Sequence, residues 1–286
     1  MKVRSLLARI PFGPFRHPPP VVGVVRLGGV IGGIGTMRRG LTLSAIAPAL
    51  ERAFTLDGVE AVALSINSPG GSPAQSALIH QRIRALAAEN AVPVFAFAED
   101  VAASGGYWLA LAADEIFADE ASIIGSIGVI SSSFGFVAAL ERLGVERRVH
   151  TAGAKKGMLD PFRPEDPDEV ARLEAIQGEI HEAFKRLVRQ RRGDRLAGDE
   201  DELFSGAFWT GRRAGELGLI DGIGDVRSVM RARYGDRVKL KVVGDERGWL
   251  WRRLGRGAEA PASPAEWATG FVWALEARAW WSRYGL

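Results

Sequence analysis

Between about residues 21 and 151, β-branched and other apolar runs alternate with amphipathic segments. That is the pattern of strand–helix units stacked around a mainly parallel sheet. Strands are expected at Val22–Leu27, Glu60–Ile66, Val92–Ala98, Glu115–Ala118 and Arg147–Thr151. Helices are expected at Leu41–Phe54, at Pro73–Ala88, directly after Ser104, and at Phe136–Leu143, where Gly144 supplies a stop. A charged helix follows over Asp168–Arg192. The fold class is α/β.

From Gly248 the pattern changes. RGAEAPASPAE reads as a linker, and six of the eight Trp follow Gly248. Trp273, Ala277, Trp280 and Tyr284 fall at helical spacing, with Arg278 and Arg283 nearby. Such a helix suits packing on the domain or on a sister subunit, or peripheral contact with a membrane surface. The expected organisation is a basic, Pro-rich segment over 1–20, one domain over 21–246, and a linker with a Trp-rich helix over 247–286.

Composition narrows the chemistry. The 286 residues include no Cys, which removes disulfide scaffolds, thiolate metal sites and cysteine nucleophiles. A net charge of +3, concentrated in Lys2, Arg4, Arg9 and Arg16, leaves the remainder near neutral, so no nucleic-acid partner is expected. No run reaches the about 20 apolar residues of a membrane span, and the start lacks the apolar core of a secretory signal. The expected location is cytoplasmic, peripheral to the inner face of the membrane at most.

Two strand-to-helix turns carry the candidate chemistry: Ser65-Ile66-Asn67-Ser68-Pro69-Gly70-Gly71-Ser72, and Glu99-Asp100-Val101-Ala102-Ala103-Ser104-Gly105-Gly106. Right-handed crossovers bring consecutive turns of this kind to one edge of a parallel sheet. The Ser104 hydroxyl then faces backbone donors at Gly70 and Gly71, the parts needed to attack a carbonyl and hold its oxyanion.

A serine needs a base. His17, His80, His150 and His181 lie in the Pro-rich start, in helices far from either turn, or in a strand. Lys155 and Lys156, in GAKKGML, are the remaining candidates. A lysine base must be desolvated until its pKa falls from about 10.4 toward 7 or 8. Ser126, in IGSIGV, is a candidate hydroxyl to hold the amine. HExxH, P-loop and GxSxG patterns are missing, and LGGVIGGIG does not fit the dinucleotide fingerprint, so neither cofactor nor metal is expected.

In order along residues 20 to 235 stand VRLGGVI, INSPGGS, AASGGYWLA, GSIGV, GAKKGML and FWTGRRAGELGLID. This series resembles the signal peptide peptidase A family, S49-type Ser/Lys-dyad peptidases of the ClpP/crotonase-like fold. The resemblance implies Ser104 as nucleophile and Lys156 as base, with Lys155 its neighbour. It also implies Gly70 and Gly71 as oxyanion hole, and Ser126 as contact of the lysine amine. Where ClpP carries its catalytic histidine this chain has GSIGV, which favours a dyad over a triad. Homo-oligomers with interface active sites, and extended apolar peptides such as signal peptides bound as added strands, are further implications. The family's usual N-terminal membrane anchor is not legible here. Two other readings stand beside this one. Acyl-CoA hydration or isomerisation on a crotonase-like fold needs a site carboxylate, whereas Glu99 and Asp100 read as loop acids facing water. A non-catalytic peptide-binding scaffold is the other.

Overall fold

A computed structural model describes residues 18–32, 40–153, 155–244 and 278–286. Eight strands form one sheet: β1 (Val21–Gly28), β2 (Val59–Ser68), β3 (Val94–Ala103), β4 (Glu115–Ala118), β5 (Ile123–Gly125), β6 (Phe208–Thr210), β7 (Gly222–Ile223) and β8 (Lys239–Val243). The main path runs β6-β5-β3-β2-β1-β8, and β4 pairs with β3 and β7. All pairings are parallel except β5 with β6.

β3 divides between two partners. Phe95 to Ala98 pair with β4, and Val101 to Ala103 pair with β5. Glu99 and Asp100, at the changeover, are exposed. The sheet is mostly parallel, so helices cover its faces and its strands run apolar on both sides. On one face α1 (Leu43–Phe54), α2 (Pro73–Asn90), α3 (Gly105–Ala110) and α5 (Pro167–Arg192) bury Leu50, Ile79, Leu109 and Phe184 against the strands. The other face is smaller: Met230 of α8 (Val226–Tyr234) sits with Val22, Val24, Phe95 and Phe97. α4 (Val137–Leu143), α6 (Glu200–Leu203) and α7 (Gly211–Glu216) are short connectors.

Helix boundaries follow local chemistry. Ser72 caps α2 by accepting from the Gln75 N–H, with Pro73 in the first turn, so the Pro-Gly-Gly turn runs straight into a helix. α3 ends where Arg191 of α5 takes the carbonyls of Leu111 and Ala113, at 2.8 and 2.7 Å. Stacking of Trp108 on Phe184, with ring centroids 4.7 Å apart, fixes α3 against α5. Beneath them, buried Arg192 pairs with Asp221 at 2.7 Å, and that carboxylate also accepts from the Ile116 N–H.

The strand expected at Arg147–Thr151 does not form; those residues are exposed and irregular. Val149 is the apolar side chain in that run and no neighbouring strand supplies a ladder, so nothing offsets the cost of extending it. α4 stops at Gly144 in the left-handed region, as expected, yet it buries no residue. From Ile130 to Phe162 the chain forms an arm that leaves Ile130, Phe134, Leu143, Val145 and Val149 exposed. The basic segment with His17, the boundary at 246–247, and Trp273 and Ala277 lie outside the described residues; residues 278–282 are helical. No helix among the described residues is long and apolar enough to cross a membrane.

Candidate active site

Ser104 stands at the turn from β3 into α3 with φ 51° and ψ −120°. A non-glycine residue at positive φ is strained and persists only where its surroundings over-determine it. Here they do: the Ser104 N–H donates to the Gly125 carbonyl at 2.8 Å, its carbonyl accepts from Trp108 at 3.0 Å, and all of α3 is buried. The hydroxyl itself has no hydrogen-bond partner among the described residues and is half-buried.

The Pro-Gly-Gly turn lies against it, as the sheet-edge argument requires. Ser68 pairs with Ala102 and Ala103 with Gly125, so the ends of β2, β3 and β5 meet. A Cβ on Gly70 would fall 2.8 Å from the Ser104 Cβ and 3.0 Å from the Gly105 nitrogen, at φ +104°. One on Gly71, at φ +141°, would fall 2.1 Å from the Ile31 carbonyl oxygen. Only glycine permits either approach. Ile31 bridges Gly71 in parallel, donating to the Gly70 carbonyl and accepting from Ser72, both at 2.8 Å. In that pattern the N–H and C=O of Gly71 point to the opposite edge.

The donors divide accordingly. Gly70 N–H donates to the Ser68 hydroxyl at 3.2 Å, whereas those of Gly71 and Gly105 have no acceptor among the described residues. Gly105 is the donor that the sequence reading passed over. Its position directly after Ser104, opening a helix, is the signal that would have found it.

Ser126 lies next to this edge, at φ +51°, with its N–H donating to Ala207 at 2.7 Å. Gly125 before it packs so closely on Trp209 of β6 that a Cβ would lie 2.7 Å from the indole ring. The Ser126 side chain interacts with the Tyr284 hydroxyl. Lys156, by contrast, is exposed in the arm, and no side-chain partner holds it among the described residues; Lys155 beside it is exposed too. The structure therefore brings Ser104, Gly70, Gly71 and Ser126 to one edge and leaves Lys156 outside the network. The arm is anchored beyond the lysines: Glu169 of α5 accepts from the Leu159 N–H at 2.7 Å, Asp160 pairs with Arg147, and Phe136 stacks on Phe162.

The histidines sort themselves. His80 is buried in α2; burial, with Arg191 and Arg84 nearby, lowers its pKa to about 4, and the Leu111 carbonyl, at the far end of α3 from Ser104, works against that shift. His150 is not in a strand but in the exposed arm. His181 is closer to the site than its place in a distant helix suggested, because α5 brings its Nε2 within 3.0 Å of the carbonyl of Ile127, next to Ser126. Glu99 is tied to the Ser65 hydroxyl, and Asp100 accepts from Asn67 at 2.7 Å. Both acids tie β3 to β2, so neither of the carboxylates that the acyl-CoA reading would draw on is free for it. Among the described residues no group of three or more His, Asp or Glu is placed to hold a metal ion.

Residues 87–239, more than half of the chain, match Peptidase family S49. A Brucella abortus protein named Na(+)/H(+) antiporter NhaA is 52% identical over 289 residues, which cover 99% of this chain and 39% of that protein. Its name thus describes a protein far longer than the shared region. A putative signal peptide peptidase SppA of Enterococcus faecium is 34% identical over 167 residues, covering 58% of this chain and 48% of its own. A putative protease of Synechocystis is 31% identical over 235 residues, covering 80% of this chain and 81% of its own. On these matches, the chain belongs to peptidase family S49.

Proposed function

We propose that the chain is a serine endopeptidase with a Ser104/Lys156 dyad acting on extended apolar peptides, signal peptides among them. The observation that carries this reading is Ser104, at positive φ and with no partner for its hydroxyl among the described residues, beside the Gly70-Gly71 turn and the Gly105 N–H, whose Gly71 and Gly105 donors meet no acceptor among those residues. The Ser104 oxygen adds to a peptide carbonyl while Lys156 takes its proton. The tetrahedral oxyanion is held by the backbone donors of the Gly70-Gly71 turn and Gly105. Lys156 then passes the proton to the leaving amine, and water hydrolyses the acyl-serine by the reverse route. The free edge of Gly71 suits a substrate strand added alongside it.

A lysine acts as base only once it is stripped of water. In the single chain Lys156 is exposed, and the arm that carries it exposes a row of apolar side chains. These two facts support a homo-oligomer in which the arm packs on a neighbouring copy and delivers Lys156 to a desolvated site at the interface. Ser126 then receives the amine.

The assignment of the base is tested by turnover of an unstructured apolar peptide. Lys156→Ala is expected to abolish it while Lys155→Ala keeps most of it. Equal loss in both variants contradicts the assignment.

A further inference from the structure

His181, Phe184, Val188 and Arg192 fall at helical spacing along α5 and turn one stripe of it toward the body; the last three are buried and His181 is half-buried. Phe184 stacks on Trp108 of α3, the helix that Ser104 opens. One turn earlier, His181 reaches the neighbouring turn of the site, with its Nε2 3.0 Å from the Ile127 carbonyl oxygen. A carbonyl only accepts, so the imidazole carries a proton on Nε2 and donates it. Near its start, α5 also holds the Leu159 N–H through Glu169, in the arm that carries Lys156. A single helix thus touches the arm, the Ser126 turn and the Ser104 helix.

The His181 bond falls where the backbone needs support. Ser126 sits at φ +51°, and the side chain of Ile127 after it is fully buried. A non-glycine residue in that region stays there only while its surroundings hold it. The Ser126 N–H donates to Ala207 at 2.7 Å, and its carbonyl accepts from the Gly128 N–H at 3.0 Å. The first bond ties the turn to the residue before β6, and the second closes it on itself. Among the described residues, His181 supplies the hydrogen bond that joins residues 126–128 to a helix, and that helix is packed on α3.

We infer that His181 is a positioning residue for the Ser104 centre: its Nε2–H, held on the Ile127 carbonyl, fixes the Ser126 hydroxyl relative to Ser104, with α5 as the common frame. The effect on catalysis rests on the proposed chemistry, in which Ser126 receives the Lys156 amine; the hydrogen bond does not. Among the described residues His181 bonds neither to Ser104 nor to the Gly70-Gly71 turn. Its loss therefore acts on the placement of the base and lowers kcat rather than substrate affinity.

The test follows cleavage of a fluorogenic apolar peptide by the assembled parent, His181→Gln and His181→Leu. Gln offers an N–H donor at a reach near that of the imidazole Nε2, whereas Leu offers none. His181→Leu is expected to lower kcat about tenfold to a hundredfold, the scale of a small misplacement, with KM within about twofold of the parent. His181→Gln is expected to recover most of that loss. Near-parent kcat in His181→Leu, a loss confined to KM, or an equal loss in His181→Gln overturns the positioning role. Nitrogen NMR of the parent with isotope-labelled histidine, at about pH 8 where an ordinary imidazole is neutral, reads the bond itself. The His181 signals, assigned by their loss in His181→Gln, are expected to show the proton on Nε2, and a proton on Nδ1 alone overturns the bond whether or not the leucine variant folds. Should the assembled parent neither cleave peptide nor form an adduct at Ser104, the peptidase reading falls and the positioning role with it. An active parent indifferent to His181→Leu overturns the positioning role alone.

Discussion

A hydroxyl at positive φ, two glycines that leave no room for a methyl group, and two N–H groups with no acceptor among the described residues meet the requirements of the proposed reaction residue by residue. The strain at Ser104, of order 1–3 kcal/mol, is sustained by the buried α3 and the bond to Gly125. Gly70 is the most sensitive neighbour, since a methyl group there would press on the Ser104 Cβ itself. Gly70→Ala is expected to push the turn away from Ser104 and move the Gly71 N–H out of place, cutting kcat about a hundredfold, the scale of misplacing one oxyanion donor, while circular dichroism shows the fold retained. Near-normal kcat in that variant would show that the turn takes no part. Gly70, Gly71 and Ser104 were legible in the sequence because side-chain size and backbone freedom leave direct marks there. The Gly105 N–H was not, because every residue but proline carries the same donor and only geometry frees this one.

At the scale of elements, the apposition of the two turns follows from parallel pairing of consecutive strands, and the sequence pattern sufficed to foresee it. Short elements escaped it. β5 and β6 have three residues each, and their antiparallel pairing joins segments more than eighty residues apart, so no local period marks it. Conversely, the strand expected at Arg147–Thr151 does not form, because that local run has no partner to complete its hydrogen bonds among the described residues. α2 offers a test of its own. His80 is buried against the end of α3 with its pKa lowered to about 4, facing Arg84 and Arg191, and its Nε2 has no partner among the described residues. The unfolded chain takes up this proton near pH 6.5, the folded chain only near pH 4. His80 thus contributes no instability above pH 6.5, and stability falls as the pH drops from 6.5 toward 4, by on the order of 3 kcal/mol. Urea midpoints measured from pH 7 to 4.5 are expected to fall less steeply in His80→Leu than in the parent. Parallel slopes would contradict the burial of a neutral imidazole.

The whole molecule divides into a packed sheet that holds Ser104 and an exposed arm that holds Lys156. Among the described residues no hydrogen bond or ion pair joins Lys156 to Ser104 or Ser126, although Glu169 of α5 ties the arm to the body at Leu159. That division could not be read from motif order, because spacing along a chain does not say whether two residues meet in the same copy. Phe134, at 79% exposure in the arm, contributes little to the fold of a single chain. Phe134→Glu is therefore expected to leave the melting temperature within a few degrees, to shift the light-scattering mass toward one chain, and to lower turnover in parallel. An assembled and fully active Phe134→Glu protein would remove this face of the arm from the interface.

As the proposed nucleophile, Ser104 forms a covalent adduct with a serine-directed electrophile. Intact-mass measurement of the assembled protein after exposure to a fluorophosphonate tests it most directly. One phosphonyl adduct per chain is expected, mapped to the peptide that contains Ser104, and none in Ser104→Ala. An adduct that persists in Ser104→Ala, or an unmodified parent that still cleaves peptide, would contradict it.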